Sequence, residues 1–200
     1  GYQSRLELSP CCYEVGCTWN FKGLDYRVVN VPMGELAKLK KKSAIGKVPV
    51  LEIDGEFIAD SSTICRELEL RFPDKPLLPS DSAQLALTNI LEDWADESLY
   101  FFEMTMRFTW TYDRARWVTE ILKYDNALMQ RLARPLVPYL TRKQGTLQGL
   151  AKRSEAHIPN ALSRHLKSLE NLPASNGDHL VGDSLTLDDI SVLAQHTCIA

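Results

Sequence analysis

The sequence predicts an α/β domain in residues 1–75, a linker at 76–81 and an all-helical domain at 82–200. Strand-like and helix-like stretches alternate as far as Phe72, which is typical of a small α/β domain. The composition changes at the proline-rich linker, and helical patterns without convincing strands follow it. Two hundred residues suffice for two such domains, each with its own core.

The first strand, helix and strand follow from short local patterns. Alternating apolar and polar residues support a short strand within 2–8. Ser9 suits a helix N-cap and Pro10 suits the first helical turn, while Lys22-Gly23 ends that helix. The β-rich run 26–31 predicts the second strand. The order up to this point is therefore strand, helix, strand.

A β-hairpin follows a short helix or irregular crossover at 32–42. The stretch 48–53 alternates apolar positions, Asp54-Gly55 is a strong signal for a tight turn, and 57–59 returns as the partner strand. Pro49 lies at the head of the first strand. Because proline cannot donate to a ladder, it serves there either as an edge device or as a cis bond in a tight bend.

The helix after the hairpin offers a position for an anion. Asp60-Ser61-Ser62 supplies side-chain oxygens and backbone amides at a helix N-terminus, where an anionic group is stabilised. The helix is predicted at 62–72 and is stopped by Pro73. An anion site beside an exposed backbone edge suggests a peptide-like acid as ligand. The complete order, βαβ and then a hairpin and a helix, is that of a thioredoxin-like α+β domain.

Helical periodicity beyond the linker predicts that the C-terminal domain is a helical bundle. The last helix begins with the capping box Thr186-x-x-Asp189, after a turn-forming segment at 173–177. Prolines are expected to interrupt the second helical region, because they remove a donor and clash with the preceding turn. The regions are 81–110, 113–141 with breaks at Pro135 and Pro138, 158–169, and the helix after Thr186.

Charge and hydropathy argue against several classes of partner. The formal net charge is −3, and basic residues are scattered apart from the cluster at 38–42, so no nucleic-acid surface is indicated. No apolar run approaches the roughly 18 residues of a membrane span, and no signal-peptide pattern opens the sequence. The sequence therefore predicts a soluble cytoplasmic protein with no nucleic-acid or membrane partner.

The five cysteines favour neither a disulfide framework nor a structural metal site, because their number is odd and no paired C-x-x-C repeat occurs. Cys17, Cys65 and Cys198 have apolar neighbours and are predicted to be buried thiols. The four histidines show no ligand spacing, so no metal is expected. Cys11 and Cys12 differ from the other three, since they open the first helix.

Three motifs around the hairpin resemble the glutathione-binding domain of the glutathione transferase superfamily: Val48-Pro49-Val50-Leu51, Asp54-Gly55 and Asp60-Ser61-x-x-Ile64. The resemblance implies that Pro49 is cis and that the backbone of Val48 pairs with the cysteinyl part of glutathione. It implies that Asp60 and Ser61 hold the γ-glutamyl end, and Lys47 is assigned to the same glutathione site. Family members more often have Glu or Gln before this serine, so Asp60 is a shorter acceptor.

Two further stretches extend the resemblance over essentially the whole chain. Gly182-Asp183, with the capping box after it, resembles the motif that nucleates a core helix in the helical domain of these transferases. The stretch 92–97 is similar to the first helix of that domain in bacterial members and in their metaxin-like relatives. Family members usually continue for one or two more helices, whereas this sequence stops at Ala200, which would leave a substrate pocket partly open.

The resemblance is compatible with two mechanisms at the first helix. Ser9 would donate a hydrogen bond to the glutathione thiolate beside the positive end of the helix, as in serine-type members. Alternatively, Ser9-Pro10-Cys11-Cys12 resembles the Cys-Pro-x-Cys site of glutaredoxins with its first cysteine replaced, and Cys11 stands where zeta-type transferases have a cysteine. Cys11 would then be the reactive thiol. A Ser-Pro pair also begins many helices that carry out no chemistry.

The resemblance therefore implies a glutathione S-transferase that uses glutathione as co-substrate against a small hydrophobic electrophile, in detoxification. The electrophile would lie between the Ser9 loop and side chains of the first long helix, which are equally compatible with core packing. A two-fold homodimer is implied, with an acidic residue such as the partner's Asp93 or the partner's Glu97 reaching the glutathione amino group. The predicted pocket side chains are Tyr100, Phe101, Met104, Phe108 and Trp110.

Two other functions stay open at this point. A glutaredoxin-like thiol-disulfide reductase would use Cys11 as its working thiol. A glutathione-fold interaction module without turnover is the other alternative, as the likeness to metaxin-like proteins allows.

Overall fold

The computed structural model describes residues 1–5, 9–43, 45–110, 114–172 and 178–199. Contacts divide the chain into two compact units, which are Gly1–Pro76 with Arg116–Leu136, and Leu77–Ala115 with Val137–Ala200. The domain limits inferred from the sequence, at 75 and 82, stay a prediction. The segment 173–177, expected to form a turn, lies outside the described residues.

The first unit contains a four-stranded mixed sheet in the order β2-β1-β3-β4. β1 is parallel to β2 and antiparallel to β3, and β3 is antiparallel to β4. The predicted strand and helix order is confirmed, and the fold is thioredoxin-like. The elements are β1 (Tyr2–Arg5), α1 (Pro10–Phe21), β2 (Arg27–Asn30), a 3-10 helix (Met33–Lys41), β3 (Val50–Ile53), β4 (Glu56–Ala59) and α2 (Ser61–Arg71).

The β3–β4 hairpin forms as its turn sequence predicts. Asp54 and Gly55 both have positive φ, 53° and 82°, as a two-residue type I′ turn requires. Glycine adopts such angles without steric cost, and aspartate tolerates them better than most residues. The hairpin pairs four residues of each strand, from Val50 with Ala59 at the open end to Ile53 with Glu56 beside the turn.

A buried lysine links α1 to the end of α2. The Lys22 ammonium lies 2.5 Å from a Glu69 carboxylate oxygen, and donates to the carbonyls of Phe72 at 2.9 Å and Lys75 at 3.0 Å. An ammonium group has three N–H donors, so these three acceptors match its full capacity. Lys22 therefore fastens the chain as it leaves α2.

The second unit is helical, as predicted for the C-terminal part. A short π-helical turn, Ala95–Leu99, joins the first two of its helices into one continuous rod. A buried cluster that includes Leu99, Phe102 and Ile158 forms part of its core. Beyond the linker the helices are α3 (Ser82–Trp94), α4 (Tyr100–Thr109), α5 (Arg114–Ile121), α6 (Ala127–Gln148), α7 (His157–Glu170) and α8 (Leu187–Ile199). Most of α5 and α6 as far as Leu136 belong to the first unit.

The predicted helix breaks at Pro135 and Pro138 are wrong. α6 continues through both prolines, and the interruption lies at 122–126 instead. Asn126 provides the local reason, because its side chain caps the new helix by accepting the Met129 amide at 2.9 Å. Each proline removes one donor from the helix, and α6 forms despite that cost.

The Asp189 half of the predicted capping box is present at the start of α8. The Asp189 carboxylate accepts the Thr186 amide at 3.0 Å and the Thr186 hydroxyl at 3.2 Å. It also accepts the amide of Leu180 at 2.8 Å, which ties the preceding loop to the helix. Asp189 therefore satisfies donors on two segments.

One buried ion pair lies on α4. The Arg107 guanidinium donates to the Glu103 carboxylate at 2.8 Å, and both side chains are almost fully buried. Burial raises the pKa of Glu103 to about 7, although the neighbouring Arg107 acts in the opposite direction.

Across the part of the chain that the structure describes, no helix combines the length and apolar character needed to cross a bilayer.

Candidate functional site

The register of the sheet brings three chain segments to one end of the α/β unit. Ser4 pairs with Val50, and Val50 pairs with Ala59, so these residues of β1, β3 and β4 form one row across the sheet. Because β3 runs against both neighbours, the chain leaves β1, enters β3 and leaves β4 at this same end. The residues that follow β1, precede β3 and follow β4 include the predicted glutathione-binding positions.

Ser9 follows β1 and precedes α1. It is half-buried, has extended backbone angles, and its carbonyl accepts the amides of Cys12 and Tyr13, both at 3.0 Å. Within the described residues, its hydroxyl forms no capping hydrogen bond to α1. The hydroxyl is therefore not used to cap the helix, and it lies at the positive end of the helix dipole.

The two cysteines after Pro10 differ in burial. Cys11 is half-buried, whereas Cys12 is buried. The buried Gln3 amide on β1 donates to the Cys12 carbonyl at 2.9 Å, which holds the first turn of α1 against the sheet. Gln3 could not be predicted as a site residue, because one polar residue in a short strand carries no recognisable signal.

The burial of the other three cysteines, none of which is in a disulfide among the described residues, only partly agrees with the prediction. Cys65 is buried, as predicted, but Cys17 and Cys198 are half-buried. Desolvation nevertheless raises the pKa of the Cys17 thiol and raises the pKa of the Cys198 thiol to about 11. Neither thiol is therefore poised to ionise near neutral pH.

The segment before β3 presents backbone that the sheet does not use. The Val48-Pro49 peptide bond is cis, as the resemblance implies, and Pro49 is buried. Pairing in the sheet begins at Val50, so Val48 lies beyond the last rung of the ladder. Lys47 is exposed just before it. The arrangement suits an extended ligand that pairs with the Val48 backbone.

Asp60 caps α2 in an unusual backbone conformation. Its φ is 81°, and its carboxylate accepts the Thr63 amide at 3.0 Å and the Thr63 hydroxyl at 3.1 Å. A positive φ in a non-glycine residue costs free energy and often marks a ligand-contacting position. Asp60 is exposed, while Ser61 is buried in the first turn of α2.

The predicted pocket side chains lie on or beside α4 in the helical unit. Met104 and Phe108 are buried, whereas Tyr100 and Phe101 are half-buried with their ring centroids 5.3 Å apart. Phe101 and Trp110 pack against the buried cluster of that unit. This packing accounts for much of their apolar surface, and their role in a substrate pocket stays a prediction.

Comparison with known proteins gives a family match for the α/β part of the chain. The family described as "Glutathione S-transferase, N-terminal domain" matches residues 4–76, which include Ser9, Val48-Pro49 and Asp60-Ser61. This part of the chain is therefore similar to a known glutathione transferase domain over the whole stretch that builds the candidate site.

Curated relatives match mainly over the same part. Glutathione S-transferase 1 of Dianthus caryophyllus is 40% identical over 86 residues, 41% of this chain and 39% of that protein. A probable maleylacetoacetate isomerase of Caenorhabditis elegans is 35% identical over 81 residues, 39% of this chain and 38% of that protein. Probable glutathione S-transferase 7 of the same organism is 26% identical over 179 residues, 88% of this chain and 68% of that protein. The chain spans about two fifths of the length of the first two relatives.

Solved structures confirm the fold. A glutathione S-transferase from Rhodospirillum rubrum F11 has a TM-score of 0.65 at 23% identity, over 99% of this chain and 77% of that chain. One from Methylobacterium radiotolerans, in complex with glutathione sulfonate, has a TM-score of 0.63 at 20% identity, over 99% of this chain and 78% of that chain. Together the comparisons support the glutathione transferase superfamily.

Proposed function

We propose that this chain acts as a glutathione-dependent enzyme of the glutathione transferase superfamily, joining the glutathione thiol to a small hydrophobic electrophile. One observation carries the proposal: the register of the sheet gathers the segments around Ser9, Val48 and Asp60 at one end of the unit. These segments fall within the part of the chain that matches the glutathione S-transferase N-terminal domain.

Glutathione is a peptide-like acid, and each part of it has a proposed partner. The backbone of Val48 pairs with the cysteinyl residue, since this peptide lies beyond the last rung of the sheet. Asp60 and Ser61 hold the γ-glutamyl end, where the Asp60 carboxylate attracts the ammonium group and the α2 N-terminus attracts the carboxylate. Lys47 is exposed just before Val48 and adds a positive charge to the same segment.

Ser9 is the proposed activating residue. A thiol with a pKa near 8.5 is only about 3% ionised at pH 7, and lowering that pKa by about one unit raises the ionised fraction to roughly a quarter. A hydrogen bond from the Ser9 hydroxyl and the positive end of α1 both favour the thiolate. The thiolate sulfur then attacks the electrophilic carbon and forms the S–C bond, while the displaced group leaves with its electron pair.

A second candidate is supported by the relative named as a probable maleylacetoacetate isomerase. An isomerase of this kind would add the glutathione thiolate to a double bond and expel it again, so that glutathione is regenerated.

A third candidate uses Cys11, which is half-buried on the first turn of α1, as the thiol of a disulfide reductase. Both would use the same sheet end as the transferase.

Two substitutions separate these mechanisms. Ser9→Ala is expected to lower chloronitrobenzene conjugation about ten- to a thousandfold, the range for loss of one positioned electrostatic donor, while Cys11→Ala stays near wild type. Cys17→Ala, another half-buried thiol on α1, serves as a control. If Cys11 is the working thiol, its thiolate should attack glutathione disulfide and release one glutathione, and intact mass should detect a mixed disulfide that disappears only in Cys11→Ala. Full conjugation by Ser9→Ala without a mixed disulfide would exclude both residues. Wild-type conjugation no faster than the uncatalysed reaction would leave a non-enzymatic module, which immobilised glutathione could still retain.

The proposal extends to the assembly and its location. A two-fold homodimer and a cytoplasmic location are proposed from the superfamily resemblance. Light scattering at micromolar concentration tests the dimer directly, with a mass near twice 22.6 kDa expected. A monomeric mass at those concentrations would contradict it.

A further inference from the structure

The outward face of α6 is unusually apolar for a surface helix. Six large apolar side chains on this helix are 48–78% exposed. At about 100° per residue they fall within an arc of roughly 120°, so they form one continuous stripe rather than isolated positions. The stripe consists of Leu128, Leu132, Leu136, Tyr139, Leu140 and Leu147.

The charges of the same helix all have one sign. α6 contains four basic residues and no acidic residue, although the whole chain has a net charge of −3. All four basic residues are exposed. By helical geometry Lys143 falls within the apolar arc, and Arg131 and Arg142 lie roughly 40–60° beyond one edge of it. Arg134 lies farther round the helix and donates to the Thr119 hydroxyl at 3.1 Å.

This combination distinguishes among possible occupants of the face. A second copy of the chain meeting it through a two-fold axis would bring Arg131, Arg142 and Lys143 against the same three positive charges. An anionic bilayer offers a negative surface to the basic side chains and an apolar interior to the stripe directly beneath it. A helix that lies in the plane of the interface needs no membrane-spanning run.

We propose that the outward face of α6 docks on membrane surfaces that carry anionic phospholipid headgroups. The leucines and Tyr139 enter the boundary between headgroups and acyl chains, while Arg131, Arg142 and Lys143 contact the phosphates. This inference goes beyond the proposed glutathione chemistry. It differs from the prediction of no membrane partner, because that prediction considers only membrane-spanning segments. It would place the protein transiently on a membrane.

Sedimentation of the full chain with vesicles tests the proposal. Vesicles of phosphatidylcholine with about 40% phosphatidylserine should retain the protein, and pure phosphatidylcholine vesicles should retain at least tenfold less. Raising the salt from 0.1 to 0.5 M should release it, because the Debye length shrinks to a few ångströms. Removing Arg131 and Arg142 with Gln should weaken binding by about fivefold for each arginine.

Variants of the stripe and of other exposed leucines complete the test. Leu128→Gln with Leu132→Gln should abolish retention, while Leu70→Gln with Leu193→Gln, which are comparably exposed on α2 and α8, should leave it unchanged. Circular dichroism checks that each variant is folded. Absence of binding to anionic vesicles, or equal loss in the control pair, would overturn the proposal. Concentration-dependent self-association that the stripe variants alone remove, without vesicle binding, would assign the face to a second copy instead.

Discussion

Asp60 performs two tasks that can be separated chemically. Its carboxylate caps α2 through Thr63, and its negative charge is proposed to attract the ammonium group of glutathione. Asparagine keeps the capping oxygen and tolerates a positive φ, but it carries no charge. A single substitution can therefore remove the proposed binding role while the structural role remains.

Asp60→Asn is expected to raise the Kd for glutathione at least tenfold, because a hydrogen bond to a charged group contributes roughly 1.5–3 kcal/mol. The melting temperature should change little. Asp54→Asn is the matched control, since Asp54 also has a positive φ but lies at the hairpin turn, the opposite end of β3 and β4. Calorimetry that finds equal Kd values in the two variants would remove Asp60 from the site.

Residues that act through local chemistry could be found from the sequence. The Asp54-Gly55 turn and the Ser9-Pro10 helix start depend on neighbouring residues only, and the structure has both. Gln3 could not be found, because its role depends on a hydrogen bond to the Cys12 carbonyl on another element. The roles of Ser9, Lys47 and the α4 side chains stay predictions.

At the scale of elements, α8 depends on Asp189. Its carboxylate serves the Thr186 amide and hydroxyl and the Leu180 amide, so its removal leaves donors on two segments without their acceptor. Asp81 at the start of α3 is simpler, since among the described residues its carboxylate accepts the amides of Ala83 and Gln84 in the first turn of its own helix. The two caps therefore differ in how much structure relies on them.

Asp81→Ala is expected to lower the free energy of unfolding by about 1 kcal/mol, a typical capping loss. Asp189→Ala should cost more, about 2–3 kcal/mol, because buried donors lose their acceptor as well. Thr186→Ala should fall between the two. Urea denaturation followed by circular dichroism gives the three values, and an Asp189→Ala loss no larger than that of Asp81→Ala would contradict the argument.

The interruption between α5 and α6 shows where sequence patterns stop being informative. Asp125 in this loop accepts the amides of Met33 at 2.9 Å and Gly34 at 2.8 Å, at the start of the 3-10 helix. These partners are more than 90 residues away in sequence. Because proline is a strong local helix breaker, the sequence predicts the break at 135 and 138. The actual break depends on the distant contact of Asp125 and on the Asn126 cap.

At the scale of the whole molecule, Glu103 links stability to pH. Its pKa rises from 4.5 to about 7 in the folded protein because burial disfavours the carboxylate. The folded state therefore binds more protons than the unfolded state between these values, and this contribution to stability is present below pH 4.5 and lost as the pH rises through 7. Arg107 opposes this shift, and the Glu103 carboxylate in turn helps to raise the pKa of the half-buried Cys198 thiol.

Glu103→Gln is expected to flatten the dependence of unfolding free energy on pH between about 4.5 and 7, by up to about 3 kcal/mol. Glu97→Gln, at an exposed position on the π-helical turn, should leave the dependence as in wild type. Urea unfolding at a series of pH values measures both. Parallel curves for wild type and Glu103→Gln would show that the carboxylate does not titrate in this range.

The fold as a whole could be predicted because the order of strands and helices, read from local patterns, admits few arrangements. The position of each segment in the row formed by Ser4, Val50 and Ala59 follows from pairing between distant strands. The motifs could identify the segments that meet there. The distances within the site could not be predicted, because they depend on packing along the entire unit.

Lys22 restricts where this α/β unit can be exchanged between related proteins. Two of the three acceptors of its ammonium group are the carbonyls of Phe72 and Lys75, which lie after the end of α2. A chimeric gene whose crossover redirected the chain before Lys75 would leave a buried ammonium short of an acceptor, at a cost of roughly 1–3 kcal/mol. Recombination that shuffles the helical partner of this unit is therefore expected to be penalised at crossover points before Lys75 that move these two carbonyls.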